Sequence, residues 1–169
     1  AQVGAVPVLV DVGEDYNIDP DATEKALSRK TKAIMPVHLL GNPCRMEELA
    51  KISLEQDIGI IEDACESHGA KYGSCKTGSF GTMSTFSFFF SHHISTIEGG
   101  MVCTNDSWLA QKLRSMRVFG WNREMDDPQA WAAKTPQIDP RFLFQYAGYN
   151  FRPTEIQGAF GMHQLPRLE

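Results

Sequence analysis

Three short apolar runs constrain this chain more than anything else in it: "VPVLVDV" at 6–12, "KAIMPVHLLG" at 32–41 and "IGIIEDA" at 58–64. The first is continuous rather than alternating and the third is rich in isoleucine, the pattern of strands covered on both faces. Between the first two lies "NIDPDATEKAL", with Asp19 placed as an N-cap and Pro20 at the first helical position. A second helix is predicted over 46–55. Strand, helix, strand, helix, strand at this spacing requires right-handed crossovers, which set the strands parallel. The expected class is α/β, a mostly parallel sheet with flanking helices.

Further along, "AKYGSCKTGSFG" carries glycine at several turn positions and reads as a short hairpin or excursion over 70–81. "MSTFSFF" and "GGMVCTN" read as two more strands. An amphipathic helix is predicted from Ser107 to Phe119, with Leu109, Leu113 and Met116 on one face and Arg114 and Arg117 turned to solvent. Residues 120–147 lose periodicity and read as a long loop, and "RPTEIQGAFGMHQL" resumes helix with Pro153 near its start.

At 169 residues and 42% hydrophobic content the chain can bury a core as one domain, or form one large piece of a bigger one. Its first residue is Ala1 and its last segment still reads as helix at Glu169, so part of a longer polypeptide is expected. The net charge of −5 comes from scattered acids with no basic run, which argues against a nucleic-acid or anionic-membrane partner. No apolar stretch approaches the roughly 20 residues of a membrane span, and a cytoplasmic protein is expected. Cys44, Cys65, Cys75 and Cys103 follow no zinc-like spacing and read as buried small thiols, with no metal site.

Ligands of parallel α/β sheets bind beyond the carboxyl ends of strands. The residues in such places are His38, Asp63 and Glu66, Ser87 to His93, and Gly99-Gly100. Asp63 is either a cap or a carboxylate that keeps a heteroaromatic nitrogen protonated. Ser87 is either an ordinary strand residue or part of a phosphate cradle made with backbone N–H groups. Adjacent residues of an extended chain point apart, so one of His92 and His93 is expected to face the cleft. The Glu98-Gly99-Gly100 that follows suggests a close backbone approach, which favours a general acid or base over a structural histidine.

Together, "GAVPVLVDVGEDYNIDPDATEKAL", "TKAIMPVHLLGNPCRMEEL", "IIEDACESHGAKYGSCKTGSFGTMSTFSF", "EGGMVCTND" and "GYNFRPTEIQGAFGMHQL" resemble the DegT/DnrJ/EryC1/StrS sugar aminotransferase family, within the fold type I pyridoxal phosphate enzymes. The resemblance covers nearly the whole chain. It implies that residues 1–169 are part of the cofactor-binding large domain, aspartate aminotransferase-like and truncated at both ends, with the small C-terminal domain absent. It also implies that Asp63 pairs with the cofactor's pyridine nitrogen, that Ser87 binds its phosphate, and that Asn150, beside Arg152, reaches the phosphate of a homodimeric partner. Glu66 stands where most members have a glutamine that contacts the ring.

Five residues after the serine, where aminotransferases carry the lysine that holds the cofactor covalently, this chain has His92. A histidine cannot form a Schiff base. The substitution resembles the 3-dehydratase branch, which implies pyridoxamine phosphate or pyridoxal phosphate as cofactor, a nucleotide-linked 4-keto-6-deoxy sugar as substrate, and a role in deoxysugar and lipopolysaccharide biosynthesis. His92 is then the base. No cysteine lies between Asn105 and Glu169, so an iron–sulfur cluster is not expected and the type using glutamate as amino donor fits better. The alternatives are a nucleotide-sugar aminotransferase of the same family and a non-catalytic cofactor-fold remnant.

Overall fold

The computed structural model describes residues 3–168, which divide into two compact units. One runs up to Cys103 and takes in the residues from Ala159 onward; the other is Thr104–Gly158.

The first unit is built on helices α1 (Pro20–Ala26) and α2 (Met46–Gln56) and strands β1 (Ala33–Ile34), β2 (Gly59–Asp63), β3 (Lys71–Tyr72), β4 (Cys75–Lys76), β5 (Met83–Ser87) and β6 (Gly100–Cys103). The main sheet has the order β1-β2-β5-β6. β1 with β2 and β2 with β5 are parallel, and β6 closes the edge antiparallel to β5. β3 and β4 form a hairpin, the first of the two alternatives read for this segment. Asp19 caps α1, accepting from Ala22 N at 2.7 Å, and Pro20 sits in the first turn. In α2, Met46, Leu49 and Ile52 recur every three residues and bury one stripe against Ile34 and Ile60. Burying three such side chains contributes roughly 1.5–3 kcal/mol each.

Two of the predicted strands differ from expectation. Residues 6–12 form no strand; Val6, Val8 and Leu9 are 84%, 66% and 94% exposed, and the segment's one ladder contact is the bridge between Val12 and Ile18. An apolar run becomes a buried strand only where a neighbour covers its faces, and none of the described residues does so here. The run at 32–41 pairs only at Ala33–Ile34 and at a bridge from Val37 to Asp63, then turns into a 3-10 segment, Leu39–Gly41. The cysteines also differ: Cys44 is fully buried, but Cys75 is exposed on the hairpin, where no core reaches it.

In the second unit, α3 (Ser107–Arg117) is capped by Asp106, whose Oδ1 accepts from Trp108 N and Leu109 N at 2.8 and 3.0 Å. Arg114 and Arg117 pair with Asp126 and Glu124. The stretch expected to be a long loop instead holds a 3-10 turn at Asn122–Glu124, α4 (Pro128–Ala133) and a 3-10 turn at Pro140–Phe142. Asp127 and Asp139 cap the last two, each followed by proline. Helix α5, Glu155–Gln164, starts in this unit and ends among the residues of the first. No helix among the described residues is long and apolar enough to cross a membrane.

Candidate active site

The pleat of β2 sorts its two acids onto opposite faces. Asp63 is in register with Thr85, and Glu62 with Ser84, so Asp63, Thr85 and Ser87 share one face of neighbouring strands while Glu62 faces the other way.

Glu62 is fully buried and collects four donors. Its Oε1 accepts from Phe80 N at 2.7 Å and Gly81 N at 2.6 Å. Its Oε2 accepts from Gly78 N at 2.7 Å and His38 Nε2 at 3.1 Å. His38 is also fully buried, and its Nδ1 accepts from Cys44 N at 3.1 Å, which fixes the Nε2–H tautomer. Burial alone would push the Glu62 carboxyl up; the His38 bond and the amides of Gly81, Gly78 and Phe80 outweigh it and hold the group below the usual glutamate range. His38, expected at the cleft, is therefore part of a buried lock between the second and third predicted strands and the glycine-rich turn. Gly78 has φ +84, and a Cβ there would run into the Phe86 ring; at Gly81 a Cβ would stand 2.6 Å from Ile60 O. Only glycine lets that turn wrap the carboxylate.

On the other face, Asp63 ends β2 and its Oδ1 accepts from Cys65 N at 3.1 Å, an Asx-type turn rather than a helix cap. Ser87 ends β5, opposite Gly100, and its Oγ accepts from Phe89 N at 3.2 Å. Beyond the strand ends lies an open pocket of about 330 Å³, lined by Leu40, Glu66, Ser91, His92 and His93. Glu66 and His92 are thus brought together, while Asp63 and Ser87 stand on adjacent strand ends outside that lining. Asn150 belongs to the other unit, where its Oδ1 accepts from Arg152 Nε at 2.9 Å.

Both histidines border the pocket, contrary to the expectation that one faces away. The alternation rule fails because the segment after Phe88 is a series of bends, with His92 N bonded to Phe89 O at 3.1 Å. The close approach at Gly99-Gly100 is also internal: a Cβ on Gly99 would strike Thr96 Oγ1, and one on Gly100 would sit 3.2 Å from Phe86 O. Sequence reasoning passed over His68. Its ring lies 5.4, 5.8 and 5.5 Å from those of Phe86, Phe88 and His93, and both ring nitrogens are buried without a hydrogen-bond partner. Burial, with the charges of His93 and His92 adding to it, pushes this imidazole down. A larger cavity, about 530 Å³, lies at the amino ends of β1 and β2, where Arg29 and Lys32 face Glu24 and Asp57. Its mixed charges converge on no common chemistry.

The side chains suit a pyridoxal-type cofactor in kind. A carboxylate at the end of β2 has one oxygen accepting a backbone amide and a second to offer a ring N–H, and a hydroxyl ends the next strand, although the Phe88, Phe89 and His92 amides after it are bonded to Gly99 O, Ser87 Oγ and Phe89 O. No lysine occurs from Ser87 to Gly100, so a covalent attachment has no amine in this segment.

The chain is 45% identical to the GDP-4-keto-6-deoxy-D-mannose 3-dehydratase of Yersinia pseudotuberculosis, over 99% of this chain and 43% of that protein. It therefore spans less than half the length of the curated relatives it matches. Among solved structures, a mutant of GDP-4-keto-6-deoxymannose-3-dehydratase with bound GDP-perosamine superposes with a TM-score of 0.84 at 40% identity, covering 94% of this chain and 42% of the other. The E. coli GDP-4-keto-6-deoxy-D-mannose-3-dehydratase with bound hydrated pyridoxal phosphate gives 0.81 at 40% identity, with the same coverage. The mostly parallel α/β architecture is the one these proteins share. Residues 1–169 match the family described as the DegT/DnrJ/EryC1/StrS aminotransferase family, and the chain belongs to it.

Proposed function

We propose that the chain carries the cofactor site of a nucleotide-sugar 3-dehydratase, acting on a GDP-linked 4-keto-6-deoxy sugar with glutamate as amino donor. The observation that carries this reading is His92, which lines the pocket at the fifth position after Ser87 in a segment without lysine. What the cofactor supplies when bound is an amine for the sugar's C4 ketone and a conjugated ring that spreads negative charge. Asp63 would hold the pyridine nitrogen protonated, and the Ser87 hydroxyl would bind the phosphate. His92 takes a proton at the cofactor's C4′ carbon and returns one to the departing C3 hydroxyl; imidazole suits this because its charge changes near neutral pH. Asn150 contacts the phosphate from the second protomer of a homodimer. Free cysteines support a reducing, cytoplasmic setting.

The test is to incubate the protein with pyridoxamine phosphate, glutamate and GDP-4-keto-6-deoxymannose and to look for the 3-deoxy product. His92→Asn should abolish product while pyridoxamine phosphate still binds. Turnover retained by that variant, or a cofactor adduct trapped on a lysine by borohydride, would overturn the reading in favour of an aminotransferase.

A further inference from the structure

Leu40 is out of place twice over. It has φ 50 and ψ 32, in the left-handed region that a branched side chain avoids, and it is 82% exposed although apolar. Such a conformation persists where the surroundings over-determine it. Here they do. Fully buried Asn17 accepts from Leu39 N at 3.2 Å and donates to Asn42 O at 3.0 Å, while Asn42 N closes the turn on Leu39 O at 2.9 Å. That fixes the two ends of the turn. Its middle is fixed by Glu66, whose Oε2 accepts from Leu40 N at 2.9 Å. Gly41, at φ +83, takes the left-handed conformation that closes the turn, next to Glu66. Leu40 and Glu66 then line the pocket together with His92 and His93.

We infer that Glu66 is a positioning residue whose acceptor oxygen, and not its charge, braces the left-handed turn at Leu40 and so sets the apolar wall of the His92 pocket. This rests on the pocket being the cofactor site proposed above. It differs from a ring contact by a charged carboxylate: a glutamine would offer the same acceptor to the same amide.

The brace is tested without any ligand. Hydrogen exchange at the Leu40 amide should speed up by about tenfold in Glu66→Ala, the loss of one hydrogen bond, and by no more than about threefold in Glu66→Gln. The site is tested by pyridoxamine phosphate affinity, which should fall in Glu66→Ala and be kept in Glu66→Gln. Leu40→Gly, which relaxes the turn and removes the wall, should weaken affinity while His92 remains. Equal exchange in all three proteins, or a Glu66→Gln variant as impaired as Glu66→Ala, overturns the inference. A wild-type protein that binds no pyridoxamine phosphate overturns the proposed function instead, and the exchange rates still decide the brace.

Discussion

Replacing Glu62 by glutamine is the sharpest test of how this fold is held. The carboxylate accepts from Phe80 N and Gly81 N on one oxygen and from Gly78 N and His38 Nε2 on the other. A carboxamide keeps one acceptor oxygen and turns an NH2 toward the remaining two donors. Those donors cannot adapt: at the Oε1 position both are backbone amides, and at the Oε2 position they are the Gly78 amide and His38, whose other nitrogen is occupied by Cys44 N. Each buried donor left without a partner costs about 1–3 kcal/mol, so two of them cost about 2–6 kcal/mol. We expect a loss of about 3 kcal/mol or more, against the 5–15 kcal/mol of a typical domain. With a urea slope of about 1–3 kcal/mol/M, the unfolding midpoint should fall by at least ~1 M. Acid should erase the difference. The folded-state carboxyl is held below its ordinary value, so its contribution is complete above the unfolded glutamate pKa of about 4.3 and disappears as the pH drops through the folded value. A glutamine variant whose midpoint at neutral pH lies within about 0.3 M of wild type would refute the four-donor account.

His68→Phe should stabilise the protein by about 1 kcal/mol at pH 8 by relieving two unpartnered nitrogens. Because the folded imidazole is depressed, its contribution is full above about pH 6.5 and lost as the pH falls through the folded value; the variant should lack that loss, which urea midpoints from pH 8 to 5 will read. Gly81→Ala should cost roughly 1–3 kcal/mol through its collision with Ile60 O and loosen the turn around Glu62, lowering the thermal midpoint. Asp106→Ala should cost about 1 kcal/mol and speed exchange of the Trp108 and Leu109 amides, because their cap is gone.

Much of the frame is written locally. Asp19-Pro20 starts α1 as its letters require, and the second helix forms where it was predicted, its every-third-residue apolar stripe packing on the sheet. The same signal recurs as Asp127-Pro128 and Asp139-Pro140, so the helical turns in the stretch read as a loop were legible too; the loss of apolar periodicity concealed them. Family membership was equally readable, since the motifs fall in order along the whole chain and the missing lysine is a matter of one letter, His92.

What the sequence determined by itself are the features whose physics acts over a few residues: caps, turns, periodicities, and the identity of the group at position 92. What only the tertiary structure decided are partnerships between distant segments. Nothing near Glu62 in the chain marks it as the acceptor for residues 38, 78, 80 and 81, or its neighbour Asp63 as the acid facing the other side. The exposure of residues 6–12 was likewise beyond reach, because burial belongs to a strand and its neighbours jointly and no strand carries it alone.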